Sequence, residues 1–292
     1  MIPTPSTGRF QSCMTEEQKF LFDLKGCLAL LSVLSDGEIE ACKRHLRAIN
    51  DGPPTLPEHE RNSYSGPCQE LLDHPAIVSV LREIISPDLP GEWTEPSYNK
   101  QPDVSVAYGF RCDSSFYMIR PASEETPFRP HNGGPNMGPS HHYQFVHGKI
   151  FSPAVRVVWE LNPVKMRAGG TLFLSGSHKS NYDVQQSLLQ PDDPRWESYE
   201  CPAGSVVIFS ENVCHGSAPW TDTTEPRMAI FNHYMHYCMR FHRSVPHPKT
   251  IEAMPAMRQT LFRDVWMFDH QKDKVYPNTY YGPNNRAHSR EV

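Results

Sequence analysis

Apolar residues recur at helical spacing near the start of the chain and give way to short β-rich runs after about residue 104. Thr15 with Gln18 spells a capping box, and Phe20, Leu21 and Leu24 give the turn that follows an apolar face. Gly26 ends this helix, and Cys27–Val33 has the continuous apolar character of a buried strand. Ser35 with Glu38 makes a second capping box, ahead of Ile39, Cys42, Leu46 and Ile49 on one helical face. A third helix is predicted over Pro75–Ile85, with Ile77, Leu81 and Ile84 inward.

Seven β-rich runs follow: Val104–Phe110, Ser115–Arg120, Tyr143–Phe151, Ala154–Leu161, Thr171–Leu174, Ser205–Phe209 and Arg227–Tyr237. Clusters of Pro, Gly, Asn, Asp and Ser separate them. Many short strands without alternating helices indicate an antiparallel jelly roll, not a doubly wound sheet. A last helix is predicted over Ile251–Trp266, with Met257, Leu261 and Val265 four apart, and the stretch from Tyr276 is polar and loop-like. No linker or repeat divides residues 1–292, so one domain is expected: a helical part at about 15–90, a jelly-roll core at about 100–240 and an extension at 241–292.

Composition narrows the partners. A formal net charge of −5 argues against a general nucleic-acid or membrane-surface binder. No run of about 18 apolar residues spans a bilayer, and the first ten residues lack the pattern of an export signal. The 8 cysteines include no Cys-x-x-Cys pair, which fits reduced thiols and a cytoplasmic location.

Of the 15 histidines, most need be no more than surface or hydrogen-bonded core groups. Two stand in richer surroundings. His131 lies in the turn-rich stretch Phe128-Arg-Pro-His-Asn-Gly-Gly-Pro, and His215 follows the apolar run Ser205–Phe209. Arg227 opens the next strand. Two imidazoles from different strands suit Fe(II), and a guanidinium fork grips a carboxylate end-on. His141 and His142 are neighbours, so on a strand at most one faces any given site, and rim or surface positions explain both. His233 and His236 are expected in the sheet, and the Arg240, His242 and Arg243 cluster suits a solvated edge or a grip for an anionic group.

From about residue 15 to 240 the chain resembles the phytanoyl-CoA dioxygenase family. The matching pieces, in order, are the opening helix–strand–helix, the His131 segment, Val158-Trp-Glu-Leu-Asn and Gly170-Thr-Leu-Phe-Leu-Ser-Gly-Ser-His-Lys. Pro202-Ala-Gly-Ser-Val-Val-Ile-Phe and His215-Gly-Ser with Arg227 complete them. The resemblance implies a double-stranded β-helix that uses Fe(II), 2-oxoglutarate and O2 to take hydrogen from an aliphatic carbon of a small molecule. It matches His131 and His215 to the iron ligands, and Arg227 with Ser217 to the holders of the cosubstrate's distal carboxylate. It sets Asn132 and Trp159 near that cosubstrate, although Trp159 is most simply a core aromatic. His178 is not a ligand in this pattern and is expected to close a turn.

One position departs. The family's His-x-Asp stands here as His131-Asn132-Gly133, and glycine has no side chain to offer a metal. Three readings follow. In halogenases that resemble this family, Gly or Ala at that position opens a coordination site for chloride, and here Asn132 and the glycine-turn amides could surround the halide; this reading is preferred. In a hydroxylase, water or a distant carboxylate such as Glu160, Glu211 or Asp113 would complete the site. In the third, the fold binds a ligand without catalysis. Against all three, Gly133 also suits an ordinary tight turn.

Overall fold

In the computed structural model the described residues are 14–51, 56–86, 108–122, 127–133, 138, 141–146, 148–185, 190–243, 245–263 and 265. Both capping boxes form. Helix α1, Glu16–Lys25, starts at Thr15 with reciprocal Thr15 and Gln18 bonds and stops at Gly26, whose φ of 79° is left-handed. Strand β1, Cys27–Leu30, leads to helix α2, Asp36–Asn50, capped by Ser35 and Glu38, and helix α3 spans Pro75–Ile85.

The β-rich half supplies β2 (Phe110–Arg120), β3 (Gln144–Val146), β4 (Lys149–Phe151), β5 (Ala154–Glu160), β6 (Thr171–Leu174), β7 (Ser205–Ser210), β8 (Cys214–Ser217) and β9 (Arg227–His236). Five strands form one antiparallel sheet in the order β1-β7-β5-β9-β2. Strands β6 and β8 pair separately, and an antiparallel bridge between His131 and His215 lays the 131 segment against the free side of β8. The two sheets face each other, giving a double-stranded β-helix.

Alternation along the central strands assigns their faces. Val155, Val157, Trp159, Val206, Ile208, Met228 and Ile230 pack with the helices in the larger core. Val158, Val207, Phe209, Ala229 and Phe231 turn the other way, against Phe173 of the small sheet. The space between the sheets therefore receives the alternate residues of β5 and β9.

Several expectations need correction. The run 143–151 is a hairpin, β3–β4, turned at Gly148 (φ 75°). The C-terminal helix is broken into α4 (Pro248–Glu252), α5 (Ala256–Gln259) and a 3-10 turn at Thr260–Phe262, because Pro255 cannot continue a helix from α4. Residues 104–107 of the first expected strand, and Trp266 with the polar stretch from Tyr276, lie outside the described residues. Among the described residues no helix is long and apolar enough to cross a membrane.

Candidate functional site between the sheets

The bridge that joins the 131 segment to β8 sets the two histidines side by side. His131 N–H donates to the His215 carbonyl at 3.0 Å and His215 N–H to the His131 carbonyl at 3.1 Å. Their ring centroids lie 4.3 Å apart, tilted by 58°. Each ring is held alike: Nδ1 of His131 lies 3.2 Å from the Arg129 carbonyl, and Nδ1 of His215 lies 2.7 Å from the Val213 carbonyl. A carbonyl only accepts, so Nδ1 carries a proton in both rings and Nε2 is the nitrogen left to face the space between them. Histidines that bind metals are oriented through the same kind of bond. Burial, opposed by the nearby Glu211 carboxylate, pushes the buried His215 down to about 4, so its imidazole is neutral at pH 7.

A carboxylate approaches from outside the His-x-Asp position. Glu211 follows β7, and its Oε2 lies 3.8 Å from His215 Nε2. Asn132 Nδ2 donates to the same oxygen at 3.1 Å, while Arg156 Nε donates to Oε1 at 2.6 Å. Burial alone would raise this acid; Arg156, with His233 and His215, outweighs it and holds Glu211 well below the usual carboxylate range. Asn132 thus holds Glu211 beside His215.

Position 133 faces elsewhere. Asn132 and Gly133 have φ of 62° and 84°, two successive left-handed residues that turn the chain out of the strand directly after His131. A Cβ added at Gly133 would stand 2.7 Å from Cys214 Cβ and 3.0 Å from Val184 Cγ2. Those side chains belong to the cluster on the outer side of β8, with Leu172 and Trp196. A residue at 133 would point to that outer layer, away from His215.

Arg227 occupies the other end of the space. Its register across β8 is indirect: Phe173 pairs with His215 and Thr171 with Ser217, so the Ser217 end lies two residues, about 7 Å, along the strand from His215. Arg227 Nη1 donates to Ser217 Oγ at 3.4 Å and to the Gly169 carbonyl at 3.3 Å. Nε and Nη2 grip Glu160 at 3.3 and 2.5 Å, and Nη2 also reaches Thr171 Oγ1 at 3.2 Å and Tyr199 Oη at 3.1 Å. Both charged side chains are fully buried. Burial would lower the arginine, but the Glu160 charge more than restores it, so Arg227 stays a cation.

Trp159 is on the wrong face for a cosubstrate contact. It is fully buried among the helix-side residues, edge-on to His74 at 5.3 Å, because its strand neighbours Val158 and Glu160 take the inward positions. His178 behaves as expected: it sits in a 3-10 turn, bonds the Asp23 carbonyl at 3.0 Å and packs edge-on to Tyr143. His141 is part-buried, and Arg240 donates to the carbonyls of His242 and Arg243, so that basic cluster is tied to its own backbone.

One group was not foreseen. Asp113, His233 and His242 are the only three His, Cys, Asp or Glu side chains among the described residues whose donor atoms all lie within 4.8 Å of one another. Asp113 Oδ1 accepts from Arg111 Nη1 and Phe241 N–H, and Oδ2 accepts from His242 N–H and lies 2.6 Å from His242 Nδ1. With its oxygens so occupied and a cation beside it, Asp113 fastens the segment after β9 to β2.

A family profile for phytanoyl-CoA dioxygenase matches residues 22–229, a span that includes both histidines and Arg227. The chain belongs to the phytanoyl-CoA dioxygenase family. Among solved structures, this family member is similar to HygX from Streptomyces hygroscopicus with nickel and 2-oxoglutarate bound, at 18% identity and a TM-score of 0.60 over 79% of this chain and 90% of that one. HygX with iron bound aligns at 19% identity, the same TM-score and the same coverage. The ThoJ non-heme monooxygenase with nickel aligns at 17% identity and a TM-score of 0.50, over 74% of this chain and 75% of that one. No curated protein matches the sequence of this dioxygenase-family chain.

Proposed function

We propose that this protein is an Fe(II)- and 2-oxoglutarate-dependent oxygenase that oxidises an aliphatic C–H bond of a small molecule, delivering oxygen and not a halogen. The observation that carries the choice is the direction of position 133. A halogenase site would be a triad with its carboxylate removed, but a Cβ at 133 would meet Cys214 and Val184 on the outer side of β8. The glycine is explained by its turn. A carboxylate comes instead from Glu211, and its buried negative charge beside His215 disfavours chloride there.

The residues fit a metal. Two imidazoles oriented through Nδ1 and a nearby carboxylate make the donor set of a non-heme Fe(II) centre. Glu211 Oε2, 3.8 Å from His215 Nε2, would be the carboxylate that completes the set. Bound iron with 2-oxoglutarate and O2 supplies an oxidant strong enough to break an unactivated C–H bond. The chain's own part is to orient the two imidazoles through Nδ1, keep Glu211 ionised through Arg156 and Asn132, and exclude water around His215 with Phe209 and Phe173. His131 is exposed, so the substrate enters from its side. HygX, of the same fold, was solved with iron and with 2-oxoglutarate, nickel and hygromycin B, which supports the same kinds of group here. The seven described cysteines are all free thiols, in keeping with a cytoplasmic enzyme.

Anaerobic addition of Fe(II) and 2-oxoglutarate tests the reading. A visible charge-transfer band that chloride leaves unchanged is expected. A band that shifts with chloride favours halogenation, and no band at all favours a binding protein.

A further inference from the structure

We propose that Glu160 is an internal carboxylate that keeps Arg227 occupied, and that a cosubstrate dicarboxylate binds by exchanging with it. The proposal rests on taking Arg227 as the arm for the cosubstrate's distal carboxylate. It adds what that reading lacks: a reason why the arm is already full.

Every nitrogen of the guanidinium has an acceptor. Glu160 takes the Nε–Nη2 edge with both oxygens, the geometry in which a carboxylate binds arginine most strongly. Thr171, Tyr199, Gly169 and Ser217 take what remains. The Arg227–Glu160 pair is electrically neutral and wholly buried, so nothing draws in a second carboxylate while Glu160 stays. Adding one would bury an unpaired negative charge, which is strongly unfavourable.

The contacts also show where exchange begins. The Nη1 corner has the longest bonds, 3.3 Å to Gly169 O and 3.4 Å to Ser217 Oγ, and Ser217 lies on the same face of β8 as His215. Ser217 is half-buried, whereas Arg227 and Glu160 are fully enclosed, so an anion coming from the histidine end meets this corner first. Glu160 is not stranded when it leaves the fork. Tyr199 Oη already donates to its Oε1 at 2.5 Å and keeps one hydrogen bond to the displaced group, which takes up a proton on leaving the fork so that no unpaired charge is buried. Glu160 is the last residue of β5, where the strand gives way to a loop and a side-chain swing disturbs no further pairing.

The test uses metal-free protein and glutarate, a dicarboxylate with no keto group to chelate iron. Titration calorimetry is expected to show at least tenfold tighter glutarate binding by E160Q than by the unaltered protein, and a larger rise in melting temperature on adding glutarate. The gain should vanish in E160Q/R227M. Equal or weaker binding by E160Q overturns the proposal, as does a gain that survives R227M. Should E160Q fail to fold, E160D retains the charge but is too short to span both nitrogens, and several-fold tighter binding is expected; no gain overturns the proposal. The two readings fail separately: an iron band in the unaltered protein with no effect of E160Q on glutarate removes exchange alone, whereas a glutarate gain without an iron band removes the oxygenase reading alone.

Discussion

The two ends of the space between the sheets handle buried polar groups in opposite ways. At the histidine end, main-chain carbonyls fix the rings through Nδ1 and leave Nε2 without a hydrogen bond, with Glu211 Oε2 3.8 Å away. At the arginine end every donor is satisfied, and the two charges cancel at 2.5 Å. On the proposed reading, the metal end keeps Nε2 unused, whereas the anion end has to protect a buried cation until the anion arrives. A buried lone arginine would be far costlier than a buried neutral imidazole, which accounts for the asymmetry.

The largest expected effect breaks the arginine end. Arg227→Leu leaves Glu160 buried without a partner and is expected to cost roughly 3–5 kcal/mol in urea unfolding, while Arg227→Leu/Glu160→Leu recovers most of that loss. A single substitution costing under about 1 kcal/mol, the range of an exposed pair, would mean that this end is not sealed. At the histidine end the same kind of change is expected to act on metal binding and hardly on the fold. Glu211→Gln is expected to weaken Fe(II) binding by roughly 10–100-fold, the range for groups that orient metal sites, with little change in unfolding midpoint. Arg156, its partner, is 13% exposed and stacks over Phe116, so it keeps some solvent and ring contact when the charge is gone. Unchanged metal affinity would leave water as the third ligand.

How much of this the sequence revealed differs by residue. The capping boxes and helix limits were legible because they depend on neighbours three or four residues away. His131, His215 and Arg227 were legible as candidates, and the bridge brings the histidines together. Strand β8 was not: Cys-His-Gly-Ser lacks β-branched residues, and its strand character comes from pairing with β6 and the 131 segment. The face of Trp159 was recoverable, since Arg156 and Glu160 alternate with Val155, Val157 and Trp159, and the charged set had to face the site. Glu211 left one signal, a carboxylate four residues before His215. That it comes close to His215 depends on how the chain turns after β7, which no local pattern encodes.

Gly133 sharpens the comparison further. Gly133→Ala is expected to destabilise the fold by roughly 1–3 kcal/mol, because a left-handed backbone and a Cβ 2.7 Å from Cys214 both oppose it. Gly133→Asp should lose at least as much stability and gain no Fe(II) affinity in a metal competition assay. A gain would mean that position 133 does face the metal and would restore the halogenase reading.

The smallest effect separates the two roles of one hydroxyl. Ser217→Ala removes a single long bond to Arg227 that four other acceptors back up, so the stability loss should be at the low end of the roughly 0.5–1.5 kcal/mol of an ordinary hydrogen bond. If Ser217 also meets the incoming carboxylate, 2-oxoglutarate affinity falls by roughly 10–100-fold in the same variant, since a hydrogen bond to a charged group contributes about 1.5–3 kcal/mol. Measured together, the two numbers discriminate. A drop in both by the same small amount makes Ser217 a brace for Arg227, whereas a binding loss that clearly exceeds the stability loss means the anion enters past the Nη1 corner.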